Sequence, residues 1–253
     1  MVRAPFVIVT AVALLVAACA EPNPTGTPQI KDINVFAAAS LTDAFTRVYD
    51  EYAKSNARVR FIFNFGSSST LATQITNGAP ADLFASADQA NMQKIVDAML
   101  TDGTPTAFAT NRLEIAVLPG NPKKISSLAD LARSDVILVL AAPTVPAGKY
   151  ALEALSKTGV SAKPQSQEVD VRAVLNKVSL GEADAGIVYV TDVKSAGGRV
   201  TGVAIPEEQQ VLARYPIAVV KSSKNAELAH GFMDYVLSPA GQNVLAEFGF
   251  SKP

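Results

Sequence analysis

Three short stretches place hydroxyl and small residues directly after an apolar run. Ala37-Ala38-Ala39-Ser40 follows Ile33-Asn34-Val35-Phe36, Gly66-Ser67-Ser68-Ser69-Thr70 follows Val59 to Phe65, and Ser86-Ala87-Asp88 follows Asp82-Leu83-Phe84-Ala85. Apolar residues at helical spacing come next in each case, so each stretch reads as a turn from a strand into a helix. The first amides of a helix have no internal partner and lie at the positive end of its dipole, which makes such turns attract anions. Several of them converging on one point would hold a dianion with neutral donors alone. Ser40 and Ser68 are the side-chain candidates, although either serine could simply cap its helix.

What is missing narrows the chemistry further. The single histidine, His230, falls in a predicted C-terminal helix, and the single cysteine is Cys19. A His-rich zinc site and an intrachain disulfide are therefore unavailable. The chain has no G-x-S-x-G elbow, no GxxxxGK[ST] phosphate loop and no GxGxxG fingerprint. A serine enzyme built on Ser68 would have to use a lysine as its base. Glu182 and Asp184 form the closest acidic pair of the second half, and they read as a solvated turn. A net charge of -1 and a pI near 5.9 give no basic footprint for nucleic acid.

The elements that must position these turns alternate strand and helix, as expected of α/β architecture. At 253 residues and 49% hydrophobic, the chain can build one large domain or two lobes. Arg112 to Leu118 reads as a strand closed by Pro119-Gly120-Asn121-Pro122, a crossing into a second lobe. There the alternation resumes: a strand at Val136 to Leu140, a loop at Pro143 to Gly148, a helix at Tyr150 to Leu155. A helix carrying Val171, Val174, Leu175 and Val178 and a buried strand at Ala185 to Val190 follow. Tyr215 to Val220 reads as the return crossing, and Leu228 to Phe248 as a helical tail packed on the first lobe.

The N-terminus has a separate logic. Arg3 precedes an apolar run from Phe6 to Ala18 interrupted only by Thr10, which reads as a secretory signal too short to span a bilayer comfortably. Val16-Ala17-Ala18-Cys19 resembles a lipoprotein processing site, with Cys19 as the lipid-modified first residue of the mature chain. Residues 20–29 are rich in Pro, Thr and Gly and read as a tether. The expected organisation is a signal over 1–18, a tether over 19–30, a first lobe over 31–112, a second over 113–214, and a return to the first over 215–253.

In its turns the chain resembles the bacterial periplasmic molybdate-binding proteins. Val35-Phe36-Ala37-Ala38-Ala39-Ser40-Leu41-Thr42, Ser67-Ser68-Ser69-Thr70-Leu71-Ala72 and Gly78 to Asp88 are similar to that family's anion loops. In the second half Val145-Pro146-Ala147-Gly148-Lys149-Tyr150, Glu168-Val169-Asp170-Val171-Arg172 and Ala185-Gly186-Ile187-Val188-Tyr189 match in order. Gly66 stands where many relatives have alanine, and Ala142 where they often carry a polar residue. The resemblance implies a type II periplasmic-binding-protein fold, two α/β lobes joined by two crossing strands with the ligand between them. It implies no catalysis and no cofactor, with molybdate or tungstate as cargo. Ser40 and Ser68 would give hydroxyl and amide donors, Ala87, Ala147 and Val171 backbone amides, and Tyr189 its phenol. The implied partners are the permease and ATPase subunits of an ABC importer. The implied location is outside the cytoplasm, as a monomer anchored to the membrane at Cys19. Another oxyanion such as sulfate, or a small organic acid, stays open as the ligand of the same fold.

Overall fold

The computed structural model describes residues 2 and 30–253, so the expected signal, Cys19 and nearly all of the tether lie outside the described residues. The first half contains β1 (Lys31–Ala38), α1 (Thr42–Ala53), β2 (Val59–Gly66), α2 (Ser68–Thr76), β3 (Leu83–Ala85), α3 (Gln89–Asp97) and β4 (Thr101–Asn111). Next come β5 (Leu113–Val117), β6 (Leu138–Ala141), α4 (Pro146–Lys157), β7 (Ser166–Glu168), α5 (Val171–Ser179), β8 (Ala185–Tyr189), α6 (Val190–Ser195) and β9 (Thr201–Ala204). The chain ends with β10 (Ala213–Val220), α7 (Ala226–Leu237) and α8 (Pro239–Glu247).

These strands form two five-stranded sheets, β2-β1-β3-β10-β4 and β7-β6-β8-β5-β9. The chain crosses between them after β4 and returns before β10, giving two α/β lobes. In the first sheet β1 pairs in parallel with β2 on one side and β3 on the other. The connection from β2 to β3 therefore steps across β1 and opens a crevice beyond the carboxyl ends of these strands. The register puts Ala38 beside Gly66 and Ala37 beside Ala85, so the three turns predicted to attract anions leave one edge together. The second lobe repeats this arrangement, with β6 parallel to β7 on one side and β8 on the other.

Aromatic packing holds the first lobe closed. Phe61 meets Phe232 of α7 edge-on at 4.4 Å, and Phe45 contacts both Phe108 and Phe232. Each such pair adds roughly 0.5–1.5 kcal/mol beyond the area it buries. The C-terminal tail thus returns to the first lobe as its pattern predicts, but as two helices. Pro239 breaks it, and the Ser238 hydroxyl caps α8 by accepting from the Gly241 amide at 3.3 Å.

Several strands depart from the expected pattern. β4 carries Gly103 and Pro105, which read as breakers, yet its antiparallel pairing with β10 holds it extended through two irregularities in register. Arg112 to Leu118 is not itself the crossing. β4 already ends at Asn111, Arg112 is the link, and β5 belongs wholly to the second sheet. The return strand starts at Ala213, ahead of Tyr215. The short edge strands β7 and β9 carry too little apolar alternation to be read from sequence.

Candidate anion-binding cleft

The first-lobe wall is built from the turns at the ends of β1, β2 and β3. Ser40 does not cap a helix. It lies in a 3-10 turn over Ala39–Leu41, α1 starts at Thr42 without a side-chain cap, and the Ser40 Oγ instead sits 2.9 Å from the Tyr215 hydroxyl. Ser68 is not a cap either. Ser67 takes that position, accepting from the Thr70 amide at 3.3 Å, which leaves Ser68 as the first residue of α2 with its amide free of any intrahelical partner. The Ser68 Oγ accepts from the Ala87 amide at 2.8 Å, so its own proton is left to point elsewhere. The Ala87 amide, expected to face a ligand, is thus engaged by Ser68 in this structure. Asp88 caps α3 through the Asn91 amide at 2.9 Å and fixes the end of this turn.

The facing wall comes from the second lobe. Pro146 opens α4, with Ala147 in its first turn. Gly148 lets that turn press on the end of β6, because a Cβ there would lie 2.2 Å from the carbonyl oxygens of Ala141 and Ala142. Asp170 caps α5 by accepting from the Ala173 amide at 2.9 Å, and Val171 follows as the first helical residue. Tyr189 ends β8 with its ring only 1% exposed. Its amide donates to Asp192 Oδ2 at 3.0 Å, while its hydroxyl is buried without a hydrogen-bond partner. Burial pushes the phenol well above its ordinary pKa, so it stays a neutral donor.

The two walls face each other across one narrow pocket of only about 10 Å³, room for about one water. All six residues singled out in the sequence line it: Ser40, Ser68 and Ala87 on one side, Ala147, Val171 and Tyr189 on the other. Gly66 lines it too, and a Cβ there would meet Leu71 at an ordinary 3.7 Å, so an alanine would fit. No charged residue lines the cavity. The starts of α2, α4 and α5 stand at its lining, and the positive ends of their dipoles favour an anion there. Among the described residues no cluster of three or more His, Cys, Asp or Glu is placed to hold a metal ion. Lys149 is exposed on α4, and His230 is paired with Asp102 at 3.0 Å on the surface.

A charged group stands immediately behind this lining. Arg172 follows Val171, and its Nη2 donates to Asp43 Oδ2 of the first lobe at 2.6 Å while its Nε lies 3.1 Å from Asp192 Oδ1. The guanidinium therefore ties α5 to α1 across the cleft by a hydrogen bond and stands as an ion pair, without hydrogen-bond alignment, beside the carboxylate that holds the Tyr189 amide. Asp192 has no exposed surface, and burial pushes its carboxyl up to about 6 against the lowering effect of Arg172 and of the Tyr189 amide. Sequence reasoning did not assign Tyr215, Asn111, Asp43 or Asp192 to the site. A lone tyrosine in the otherwise apolar end of β10 was the one available signal.

Two lobes that close anion-seeking helix starts around a buried cavity define a solute-binding protein. The family described as bacterial extracellular solute-binding protein matches residues 33–251, and the chain belongs to it. Within that class it is similar to the molybdate-binding protein ModA of Mycobacterium tuberculosis, 44% identical over 249 residues that cover 95% of each chain. A putative ABC transporter substrate-binding lipoprotein of Bacillus subtilis, YvgL, is 33% identical over 245 residues, 94% of each chain. The periplasmic molybdate-binding protein of Azotobacter vinelandii shares the fold with a TM-score of 0.79 at 20% identity, covering 87% of this chain and 99% of that one.

Proposed function

We propose that this protein captures molybdate outside the cytoplasm and delivers it to the permease of an ABC importer, with tungstate as a second cargo of nearly the same shape and charge. One observation carries the reading: Tyr189, whose hydroxyl is buried without a partner, lines a pocket with no charged residue in its lining, among helix-start residues and serines. A fully ionised tetrahedral dianion offers acceptors only, and a lining of donors suits it. Capture on the Ser40, Ser68 and Ala87 wall is followed by closure of Ala147, Val171 and Tyr189 onto the ligand, a hinge motion about the two crossings. The Ala87 amide reaches the ligand when the Ser68 side chain rotates its Oγ away from that N–H, so that amide and hydroxyl both donate to the same oxyanion. The protein binds and releases without chemical conversion, holds no cofactor and acts as a monomer.

The proposal extends to the N-terminus, where Cys19 carries the lipid that holds the protein at the membrane. Among the described residues no helix is long and apolar enough to cross a membrane. The similarity to a protein named as a lipoprotein supports the anchor. Fractionating cells that express the Cys19→Ser variant tests it, since the variant should leave the membrane fraction, and one that stays bound refutes the anchor.

Ligand-induced stabilisation tests the cargo. Ligand at about a thousand times its dissociation constant adds roughly 4 kcal/mol, on the order of ten degrees in melting temperature for a chain of this length. Molybdate and tungstate should produce this shift, with sulfate and phosphate giving little. A shift with sulfate alone would replace the cargo, and no shift with any oxyanion would remove the reading.

A further inference from the structure

The contact between Ser40 and Tyr215 is a hydroxyl facing a hydroxyl at 2.9 Å, and its polarity decides what Ser40 can offer. If Ser40 donates, its Oγ turns lone pairs toward the cavity. If Tyr215 donates, the Ser40 proton is left for the ligand.

Neighbouring groups settle which occurs. The Asn111 side-chain oxygen accepts from the Arg112 amide at 2.9 Å. That bond fixes the orientation of the carboxamide, because the reverse would set an NH2 group against a backbone N–H. The Asn111 Nδ2 then donates to Thr191 Oγ1 at 2.9 Å and to the Tyr215 hydroxyl at 3.4 Å. An NH2 group only donates, so the Tyr215 oxygen is the acceptor there, and among the described residues Ser40 is the one other partner to which its proton can go. We propose that Asn111 and Tyr215 are positioning residues that lock Ser40 as a donor toward the cleft, and that this lock selects oxyanions carrying no proton.

The relay starts at a backbone amide and ends in the cavity: Arg112 N–H to Asn111, Asn111 to Tyr215, Tyr215 to Ser40. Asn111 ends β4 and Tyr215 lies in β10, so the polarity is set by the strands at which the chain crosses between lobes. Tyr215 has no exposed surface, and burial holds its phenol well above the ordinary value, so its proton stays in place. A hydrogen phosphate brings one O–H that needs an acceptor. With Ser40 locked as a donor, its oxygen is not turned to receive that proton, so the first-lobe wall has one acceptor fewer to offer, and a buried donor without a partner is costly.

This inference rests on the oxyanion reading above, and the experiment separates the two. Dissociation constants for molybdate and phosphate are measured in mildly alkaline buffer, where both are dianions, for the wild type, Tyr215→Phe and Asn111→Asp. Tyr215→Phe frees the Ser40 hydroxyl to turn. Asn111→Asp keeps the shape but takes the Tyr215 proton, so Ser40 must donate backwards. In both variants the preference for molybdate over phosphate should fall by about fivefold or more, the equivalent of one hydrogen bond. In Asn111→Asp the added charge weakens both dianions alike and cancels from the ratio. In a Ser40→Ala background neither substitution should change the ratio further. Equal weakening of both anions by the foldable variants, or the same change of ratio without Ser40, overturns the relay and leaves the cargo assignment standing. Failure of the wild type to bind molybdate overturns both.

Discussion

Replacing Tyr189 with phenylalanine should move affinity and stability in opposite directions. The hydroxyl is buried without a partner in the protein, so the ligand-free closed state carries a desolvated donor worth about 1–3 kcal/mol of destabilisation. Phenylalanine removes that cost with almost no change of volume, and the ring keeps its edge-on contact with Tyr215 at 6.0 Å. Opening of the lobes would hydrate the phenol in the free wild type and shrink the gain, so the ligand-free variant should melt at the same temperature or up to several degrees higher. Binding should go the other way. A hydrogen bond to a charged acceptor is worth about 1.5–3 kcal/mol, which predicts a molybdate dissociation constant raised about 10- to 150-fold. Calorimetric titration with molybdate and a melting curve without ligand give both numbers on one preparation. Affinity unchanged within about threefold, or a ligand-free melting temperature that falls, would refute the assignment of this hydroxyl to the ligand.

Three further outcomes follow from the same geometry. Ser67→Ala should cost about 1 kcal/mol of stability by removing the cap of α2 and leave affinity nearly intact, whereas Ser68→Ala should spare the cap and weaken binding; paired melting and titration experiments check the contrast. Arg172→Lys keeps the charge but gives up the fork that reaches Asp43 and Asp192; because the interlobe pair is partly exposed, the loss should be about 1 kcal/mol or less and appear as faster ligand release in stopped-flow traces. Asp192 has its carboxyl raised to about 6 in the fold, so its contribution to stability is complete below the unfolded value and is lost as pH rises through 6. Asparagine mimics the protonated form at every pH, and Asp192→Asn should gain on the wild type by roughly 1–3 kcal/mol between about pH 4 and 7 in urea unfolding; a difference that does not change with pH would refute the raised value.

How much of this was legible in the sequence depended on which atoms the site uses. Ser40 and Ser68 stood out because hydroxyls clustered at strand-to-helix turns have a physical reason to be there. Ala87, Ala147 and Val171 offer only backbone amides, to which side-chain chemistry gives no clue, and they entered through resemblance alone. The position of the cap within Ser67-Ser68-Ser69 was not legible either, since three adjacent serines can each cap and the path of the backbone chooses. Strand β4 was hidden because Gly103 and Pro105 break its local pattern while its partner β10 supplies the extension from more than a hundred residues away. Asn111, Tyr215 and Arg172 take their roles from tertiary contacts spanning 104 to 175 residues of chain, a range over which spacing carries no information.

The division of donors between the lobes bears on how such a site can hold a dianion and still release it. A cation inside the cavity would attract any carboxylate or phosphate and would keep attracting it when the lobes part. Among the described residues no charged one lines the cavity, and the donors proposed for the second-lobe wall are the helix starts at Ala147 and Val171 and the Tyr189 phenol. On the proposed site, opening a hinge would withdraw the second-lobe donors at once and leave the anion on neutral groups of the first lobe, open to water. Among the described residues the one charged link across the cleft, Arg172 to Asp43, lies behind the lining with Asp43 43% exposed at its side chain. Solvent screens it enough that it can bias closure without making closure permanent. A site proposed in this way would make tight capture and ready delivery compatible in one fold, because its strength would belong to the closed arrangement of two walls and to neither wall alone.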